Sequence, residues 1–501
     1  MLACVRTAAV FGVEASVVQV EVDVSFGLPT FGMVGLPDAS VRESRDRVKS
    51  AIRNSGYEFP PHRVTVNLAP ADVRKAGSAF DLPIALGILA ATGLVNRREI
   101  PDTVLLGELS LDGAIQPVRG VLPVAAAARR DRCEGMLLPA RNAPEASVVS
   151  GLRLYPVATL QEAVTALNDP AAFHATPSAP PAARDGPAGE APPDFADVLG
   201  QALARRALEI AAAGGHNVLM IGPPGSGKTM MARRLGSILP PLTFEEALEA
   251  TSIHSVAGLL GDGTGLLAHR PFRAPHHTIS DIALVGGGQV PRPGEISLAH
   301  SGVLFLDEMA EFSRRALEVL RQPVEEGVVR IARAARTAVF PARFMLVGAM
   351  NPCPCGYAGD PVRACRCTPP QVDRYAARLS GPLRDRLDLT VGVGAVTASE
   401  MQSERLAESS ETIKRRVLAA RERQLADRGA LNAVLQGRAL RSRVRLAPEA
   451  RPLVARALTT WALSARAYDR VLRVARTIAD LEGSADTSAQ HVAEALQFRG
   501  Q

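Results

Sequence analysis

The sequence Gly222-Pro-Pro-Gly-Ser-Gly-Lys228-Thr229 follows the apolar run 217–221 and precedes Met230-Met-Ala-Arg-Arg-Leu235. A glycine-rich turn between a buried strand and a helix is typical of a phosphate-binding loop, because backbone N–H groups and the positive helix end surround a polyphosphate. The lysine reaches the outer phosphates, and the threonine hydroxyl can ligate Mg²⁺. We therefore predict a nucleotide site formed by Gly222, Pro223, Pro224, Gly225, Ser226, Gly227, Lys228 and Thr229.

Two further apolar runs end in residues that suit nucleotide hydrolysis. Residues 302–306 form a predicted strand that ends in Asp307 and Glu308. The first carboxylate can hold the Mg²⁺ shell, and the second can polarise an attacking water. Residues 343–350 predict another buried strand, and the terminal amide of Asn351 could orient that water. An asparagine at a strand end is also common as a plain turn residue, so Asn351 alone decides nothing.

Arginines follow these strands in two places. The turn Ser380-Gly-Pro-Leu-Arg-Asp-Arg386 could meet the phosphate of a neighbouring subunit, where an arginine stabilises charge on the transferring phosphoryl group. A solvated charged turn is the alternative. The predicted helix from Ser464 onward carries arginines three or four residues apart, hence on one face. One of these could fold over the γ-phosphate from a helical lid.

These motifs, with Pro271-Phe-Arg-Ala-Pro-His-His-Thr278 and Asn351-Pro-Cys-Pro-Cys-Gly356, resemble the YifB/ComM family of magnesium-chelatase-like AAA+ ATPases. The resemblance spans nearly the whole chain. It implies an α/β AAA+ P-loop NTPase core with a helical lid, and ATP and Mg²⁺ as cofactors. ComM-type members of the family are hexameric DNA helicases that drive branch migration during natural transformation. The resemblance therefore implies a homo-oligomer acting on single-stranded or branched DNA.

The same resemblance implies a role for each matching residue. Lys228 and Thr229 would bind nucleotide and Mg²⁺, and Asp307 and Glu308 would be the acidic pair. Asn351 would be a sensor of the γ-phosphate and Arg386 an arginine finger. Arg466 would be the sensor on the lid, with Arg470 as its rival.

The chain divides into four predicted regions. Residues 1–168 form an α+β domain, 169–194 a Pro/Ala-rich linker, 195–395 the ATPase domain with its Cys-rich loop, and 396–501 the helical lid. Segments of the first region, 75–81 and 107–120, resemble the Lon-protease-like fold. The catalytic serine position of that fold falls at Ala79 and the lysine position at Leu122, which argues against proteolysis; Ser78 lies one residue away.

Two stretches of the ATPase domain predict inserted structure. The interval between Lys228 and Asp307 is too long for a plain crossover, and by resemblance it includes a hairpin. Residues 327–340 predict a second hairpin whose arginines could grip phosphate with little sequence preference. A solvated tip or a subunit contact is the alternative for that hairpin. Its candidate DNA-binding residues are Arg330, Arg333 and Arg336.

Adjacent side chains on an extended segment point to opposite sides, so His276 and His277 are expected to face apart. Their place in the first insertion favours a role at a pore or at a subunit interface.

Four cysteines form two Cys-x-Cys pairs separated by nine residues: Cys353, Cys355, Cys365 and Cys367. Together they could supply four thiolates to one structural Zn²⁺, although this spacing is tighter than that of the usual zinc finger. Free thiols are the next interpretation, and a reducing compartment disfavours disulfides.

The 501 residues predict about three domains, and the formal charge of +6 permits a polyanionic partner without requiring one. The sequence shows neither a long uncharged apolar stretch nor a secretion signal, so we expect a cytoplasmic protein without a membrane span. Three functions stay open at this stage. They are a DNA-translocating ATPase, a chelatase-type motor for metal insertion, and a Lon-like ATP-dependent protease.

Overall fold

A computed structural model of the chain describes residues 1–71, 75, 77–96, 102–169, 176–177, 193–261, 263–288, 290–332, 337–361, 363–395, 407–461 and 463–499. Among these residues, no helix has both the length and the apolar composition that a membrane span needs.

The N-terminal part is built on an eight-stranded sheet in the order β10-β9-β8-β5-β1-β2-β4-β3, with a separate β6–β7 pair. The strands are β1 Leu2–Phe11, β2 Glu14–Ser25, β3 Phe31–Val34, β4 Arg63–Ala69, β5 Thr103–Leu105, β6 Glu108–Leu109, β7 Ile115–Gln116, β8 Gly135–Pro139, β9 Arg153–Val157 and β10 Thr176–Pro177. The helices are α1 Ala39–Asn54, α2 Asp81–Ala91, α3 Val121–Arg130, α4 Ala143–Ala146 and α5 Leu160–Asn168.

Strand β2 shows why this sheet forms. Its residues Val18, Val20, Val22 and Val24 are buried, and the residues between them are exposed or half-buried. This period of two places one apolar face against the core. The sheet is mixed, because β1, β5, β8 and β9 run parallel and β2 runs antiparallel to its neighbours β1 and β4. β10 shows that the predicted linker contributes two residues to the sheet edge.

The central part is a five-stranded parallel sheet in the order β12-β15-β18-β11-β19. The strands from β11 onward are β11 Val218–Ile221, β12 Phe272–Arg273, β13 Gly286–Gly287, β14 Arg292–Pro293, β15 Val303–Leu306, β16 Val328–Ala332, β17 Thr337–Pro341, β18 Met345–Met350 and β19 Leu389–Gly392. The helices are α6 Ala202–Gly214, α7 Lys228–Ile238, α8 Phe244–Ala257, α9 Asp281–Val285, α10 Glu295–Leu298, α11 Arg314–Glu318, α12 Arg321–Glu326, α13 Pro369–Ala376 and α14 Gly381–Arg384.

Two antiparallel hairpins are separate from the central sheet. β13 pairs with β14 in the long interval between the phosphate loop and the acidic strand, where inserted structure was predicted. β16 pairs with β17, which confirms the second predicted hairpin. Arg330 lies on β16, whereas Arg333 and Arg336 lie outside the described residues.

The C-terminal part is helical, and a buried polar network joins it to the sheet. Its helices are α15 Ser410–Arg428, α16 Gly437–Arg443, α17 Ala450–Thr460, α18 Ala465–Leu481 and α19 Ala489–Gln497. His216 bridges the two parts, because its Nδ1 lies 3.2 Å from Asp388 Oδ2 and its Nε2 lies 2.8 Å from Thr477 Oγ1 on α18. Arg473 on α18 donates to the other oxygen of Asp388 at 2.9 Å.

The N-terminal part packs directly on the ATPase core. Glu145 belongs to α4, and its buried carboxylate lies against the start of α3. There it accepts hydrogen bonds from Leu122 N at 2.8 Å and from the hydroxyl of Ser255 on α8. Burial raises the pKa of Glu145, and these hydrogen bonds act against that shift. Phe11 packs against the apolar cluster that includes the buried side chains of the β16–β17 hairpin. The predicted linker therefore connects two parts of the fold that are in contact.

We predict that Asp388→Asn destabilises the ATPase core and lid. Burial alone would raise the pKa of Asp388, but the His216 hydrogen bond and the positive charge of Arg473 lower it overall, so the folded protein holds a carboxylate. Neutralising this carboxylate leaves the Arg473 guanidinium without its ionic partner, at a cost of about 3–5 kcal/mol. Urea unfolding measures the change. Asp486→Asn is the matched control, because Asp486 is exposed in the helical C-terminal part. It should change the free energy of unfolding by less than about 0.5 kcal/mol. Equal stability of both variants would contradict the role of Asp388.

Candidate nucleotide site

The three predicted motifs meet at one edge of the central sheet. β11, β15 and β18 are parallel neighbours, so their carboxyl ends lie side by side. The phosphate loop follows β11, the acidic pair follows β15, and Asn351 follows β18. Together they line a cavity of about 410 Å³, and the lining consists of residues 224–230, Asp307, Glu308, Met350 and Asn351. This location is the usual ligand crevice of an open parallel sheet.

The phosphate loop turns through two glycines in the left-handed region. Gly225 has a φ of +77° and Gly227 a φ of +89°, and α7 begins directly afterwards at Lys228. Residues with a Cβ rarely adopt these angles, so glycine is required for the tight turn. The start of α7 borders the cavity, where its backbone N–H groups and helix dipole favour an anion.

Lys228 is held inside this loop. Its Nζ donates to the carbonyl oxygens of Gly222 at 2.7 Å and Pro223 at 2.8 Å, and it lies 3.5 Å from Asn351 Oδ1. Burial lowers the pKa of Lys228, and the charges of Asp307 and Glu308 act against that shift. The ammonium is therefore positioned in the cavity where the phosphates of a nucleotide would be bound.

Thr229 and Asp307 form the part of the site that fits Mg²⁺. The Thr229 hydroxyl donates to Asp307 Oδ2 at 2.6 Å. A hydroxyl and a carboxylate are the hard oxygen ligands that Mg²⁺ prefers, usually together with waters and substrate phosphates. These two side chains are the ones in the cavity that would hold the ion.

Glu308 has a strained backbone and a half-exposed side chain. Its φ is +49°, in the left-handed region that non-glycine residues rarely occupy, and its N–H donates to Asp307 Oδ1 at 2.9 Å. His277 Nδ1 lies 3.4 Å from Glu308 Oε2. Strain of this kind persists only where the surrounding structure imposes it, and it is frequent at active sites.

His277 is a neighbour of the site that sequence reasoning missed. The expectation that His276 and His277 face opposite sides is wrong, because their ring centroids lie only 4.1 Å apart. Thr278 N donates to His276 Nδ1 at 3.4 Å, and the Thr278 hydroxyl lies 2.9 Å from the same atom. The segment therefore turns locally rather than running extended, and His277 reaches Glu308.

Arg386 lies away from the nucleotide cavity of its own chain. It forms an ion pair with Glu325, and its Nη1 donates to Pro382 O at 2.5 Å. It lines a separate cavity of about 430 Å³ together with Arg330, which is paired with Glu326. The candidate arginine finger and the candidate DNA-contacting hairpin are thus neighbours on one surface.

The two candidate lid arginines differ in their surroundings. Arg466 is exposed in the first turn of α18. Arg470 is partly buried and donates to the carbonyl oxygens of Arg384 at 3.2 Å and Leu387 at 2.9 Å. Neither belongs to the described lining of the nucleotide cavity. Arg470 instead braces the turn that carries Arg386.

The four clustered cysteines converge as predicted. Their sulfurs all lie within 4.8 Å of one another, and the distances from Cys353 Sγ to those of Cys355 and Cys365 are 3.3 and 3.7 Å. Four sulfurs around one Zn²⁺ at about 2.3 Å would lie about 3.8 Å apart, so the cluster matches a tetrahedral site. Backbone N–H groups of Arg366 and Tyr357 lower the pKa of the Cys355 thiol to about 6.

The structure shows the surroundings of the positions considered for proteolysis. Ser78 donates to a carboxylate oxygen of Glu108. A Ser-Lys mechanism requires a lysine base beside the serine. Leu122, at the expected lysine position, is buried in α3.

Comparison with known proteins finds similarity along almost the entire chain. Three family models match: subunit ChlI of Mg-chelatase over residues 20–142, magnesium chelatase subunit ChlI over 194–401, and the ChlI C-terminal model over 407–499. The YifB protein of Salmonella typhimurium is 45% identical over 500 residues, which cover 99% of this chain and 97% of that protein. The competence protein ComM of Haemophilus influenzae is 44% identical over 504 residues, covering 99% and 97%. The magnesium-chelatase 67 kDa subunit of Chlorobaculum tepidum is 30% identical over 164 residues, covering only 32% of this chain and 23% of that protein.

Two substitutions should separate nucleotide binding from turnover at this site. We expect Lys228→Ala to abolish nucleotide binding or turnover, because the ammonium would contact the phosphates directly. Glu308→Gln should still bind ATP but hydrolyse it at least about 100-fold more slowly, because it lacks the carboxylate that polarises water. Equilibrium binding and phosphate release measure the two effects, and normal turnover in either variant would refute the assignment.

Proposed function

Since the chain belongs to the YifB/ComM family of magnesium-chelatase-like AAA+ ATPases, we propose that it is an ATP-driven, ring-shaped motor acting on DNA. The proposed role is that of a ComM-like helicase that promotes branch migration in homologous recombination and natural transformation, in the cytoplasm. The observation that carries the proposal is the meeting of the phosphate loop, the acidic pair and Asn351 around one cavity.

The chemistry follows from the positions of these side chains. Lys228 and the start of α7 would bind the phosphates, and Thr229 and Asp307 would hold Mg²⁺. An ion held there would supply positive charge that neutralises the phosphate oxygens. Glu308 accepts a proton from the attacking water, and Asn351, beside Lys228, orients that water.

The location of Arg386 supports a ring. Because it lies outside the cavity of its own chain, it can reach a phosphate only in a neighbouring subunit or after a large movement. In a hexamer each chain would supply Arg386 to the site of the next chain. Its ion pair with Glu325 would have to open for that contact, which would place hydrolysis under the control of the subunit interface.

The two hairpins support DNA as the partner. Both belong to the ATPase part, and Arg330 is about half exposed on the outer side of β16 despite its ion pair with Glu326. In our proposal, Arg330, Arg333 and Arg336 contact the phosphate backbone of single-stranded or branched DNA. Contacts of this type tolerate any sequence and weaken as salt rises.

A chelatase-type motor is the alternative function that an observation supports, because chelatase family models match most of the chain. However, the chelatase subunit itself is similar over only 32% of the chain, whereas the ComM protein is similar over 99%. A Lon-like fold for the N-terminal part is also proposed. A Lon-like protease activity is disfavoured because Leu122 occupies the expected lysine position and Ser78 donates to Glu108.

We also propose a structural Zn²⁺ bound by Cys353, Cys355, Cys365 and Cys367. Four protein sulfurs leave no open coordination position, so the ion would stabilise the loop without catalysing a reaction.

Mixing two inactive variants tests whether Arg386 acts between chains. Arg386→Ala alone should bind ATP without hydrolysing it, as should Glu308→Gln alone. Mixed rings should regain part of the activity, because some sites would combine an intact Glu308 with an intact Arg386 from the neighbour. Phosphate release from the mixture is the measurement, and sedimentation confirms assembly. Intact mixed rings that stay inactive would indicate that Arg386 acts within its own chain.

The hairpin arginines are tested by changing Arg330, Arg333 and Arg336 together to Ala. The nucleotide site is built elsewhere, so basal ATP hydrolysis should persist while stimulation by DNA is lost. A matched variant with Arg45, Arg129 and Arg130 changed to Ala removes the same charge from the exposed N-terminal surface and should still respond to DNA. Wild-type DNA binding should also weaken steeply with salt. If DNA stimulates the hairpin variant as strongly as the wild type, these arginines are not the DNA contact; if DNA stimulates neither protein, the chelatase-type alternative gains support.

Elemental analysis tests the proposed zinc. Freshly purified protein should contain about one zinc ion per chain, and changing Cys353 and Cys365 together to Ser should remove it and lower the midpoint of thermal unfolding. Changing Cys4 and Cys133 to Ser is the control, because both lie outside the cluster, and should leave the metal content unchanged. Metal-free wild-type protein would refute the proposal.

A further inference from the structure

The segment that carries the four cysteines, called the cysteine loop below, touches the phosphate loop at Gly356. The backbone of Gly356 packs against the ring of Pro224, so closely that a Cβ on Gly356 would lie 2.6 Å from Pro224 Cδ and 2.9 Å from its Cγ. No side chain fits into this gap. Any outward displacement of Gly356 would withdraw support from a residue of the phosphate loop, and any inward displacement would push on it.

The sulfur cluster fixes the position of Gly356. Cys353 and Cys355 precede this glycine, and Cys365 and Cys367 follow it, so convergence of the four sulfurs closes the loop around it. Two backbone contacts tighten the same turn. Gly356 N donates to Cys353 O at 3.0 Å, and Ala358 N donates to Cys353 Sγ at 3.3 Å.

The start of the cysteine loop also lies close to the nucleotide cavity. Asn351 lies two residues before Cys353, and its Oδ1 is 3.5 Å from Lys228 Nζ. Cys353 is completely buried, so the chain between Asn351 and the cluster has little freedom to shift. Asn351 and Pro224 both line the nucleotide cavity. Pro224 contacts the cysteine loop at Gly356, and Asn351 directly precedes this loop in the sequence.

We propose that a metal ion held by the four cysteines supports the phosphate loop through Gly356 and Pro224, so that nucleotide affinity depends on metal occupancy. Binding a metal orders the segment that carries its ligands, and a site that is already ordered binds its ligand more tightly. The inference rests on the zinc site proposed above. It does not depend on DNA as the partner.

Two glycines in the same loop give a matched pair of variants. Gly356 has a φ of +87° and Gly359 a φ of +77°, so alanine is strained at both positions. A Cβ at Gly356 would collide with Pro224, whereas a Cβ at Gly359 would meet nothing within 4 Å. Any difference between Gly356→Ala and Gly359→Ala therefore reports the contact with the phosphate loop and not the backbone strain.

Calorimetric titration with ADP and Mg²⁺ measures the affinity of each variant, and elemental analysis measures its zinc. We expect Gly356→Ala to bind ADP at least about tenfold more weakly than the wild type, a change equivalent to about 1.4 kcal/mol, with Gly359→Ala close to the wild type. Both variants should retain zinc. Equal affinities for the two variants, with zinc retained, would overturn the proposed contact.

Metal removal tests the same inference without a substitution. Wild-type protein stripped of zinc by a chelator should bind ADP more weakly and should recover on addition of zinc. Unchanged affinity after stripping would overturn the dependence on metal, even if Gly356→Ala failed to fold. Absence of zinc from the native protein would refute the metal site itself. Failure of DNA to stimulate hydrolysis would count against the proposed motor only.

Discussion

The parallel arrangement of β11, β15 and β18 is the constraint on which the site depends. Parallel neighbours place their carboxyl ends at one edge, so three segments far apart in sequence meet there. The strands are buried along their length, which explains their uninterrupted apolar sequences. Polar residues that follow such strands emerge at the edge of the core. Lys228, Asp307 and Asn351 are brought together in this way.

A second set of contacts links the opposite, amino-terminal edge of the sheet to the helical C-terminal part. Asp388 is buried and needs both His216 and Arg473 to compensate its charge. Arg470, one turn earlier on α18, holds the carbonyl groups of the turn that carries Arg386. Movement of α18 would therefore shift both the sheet contact and the candidate finger. The geometry favours Arg470 as a brace for the turn that carries Arg386, whereas Arg466 is exposed.

The sequence predicted those parts of the fold that local patterns encode. Alternating valines identified β2, apolar runs identified β15 and β18, and the glycine-rich loop led to the cavity that we interpret as the candidate nucleotide site. What it missed depends on contacts between distant segments. The approach of His277 to Glu308 accompanies the local turn at Thr278, and no sequence pattern predicts that turn. The burial of Glu145 against Ser255 and the contact of Gly356 with Pro224 likewise arise only when separate segments pack together.

In our proposal, this sheet edge is a magnesium-dependent ATP-hydrolysing centre that responds to DNA. The most direct test is phosphate release from ATP by the purified wild-type protein, with Mg²⁺ or with EDTA, and with no DNA, single-stranded DNA, duplex DNA or a four-way junction. We expect release that requires Mg²⁺ and rises with single-stranded or branched DNA. Release that is absent under every condition, that is unaffected by EDTA, or that no form of DNA increases would contradict the proposal.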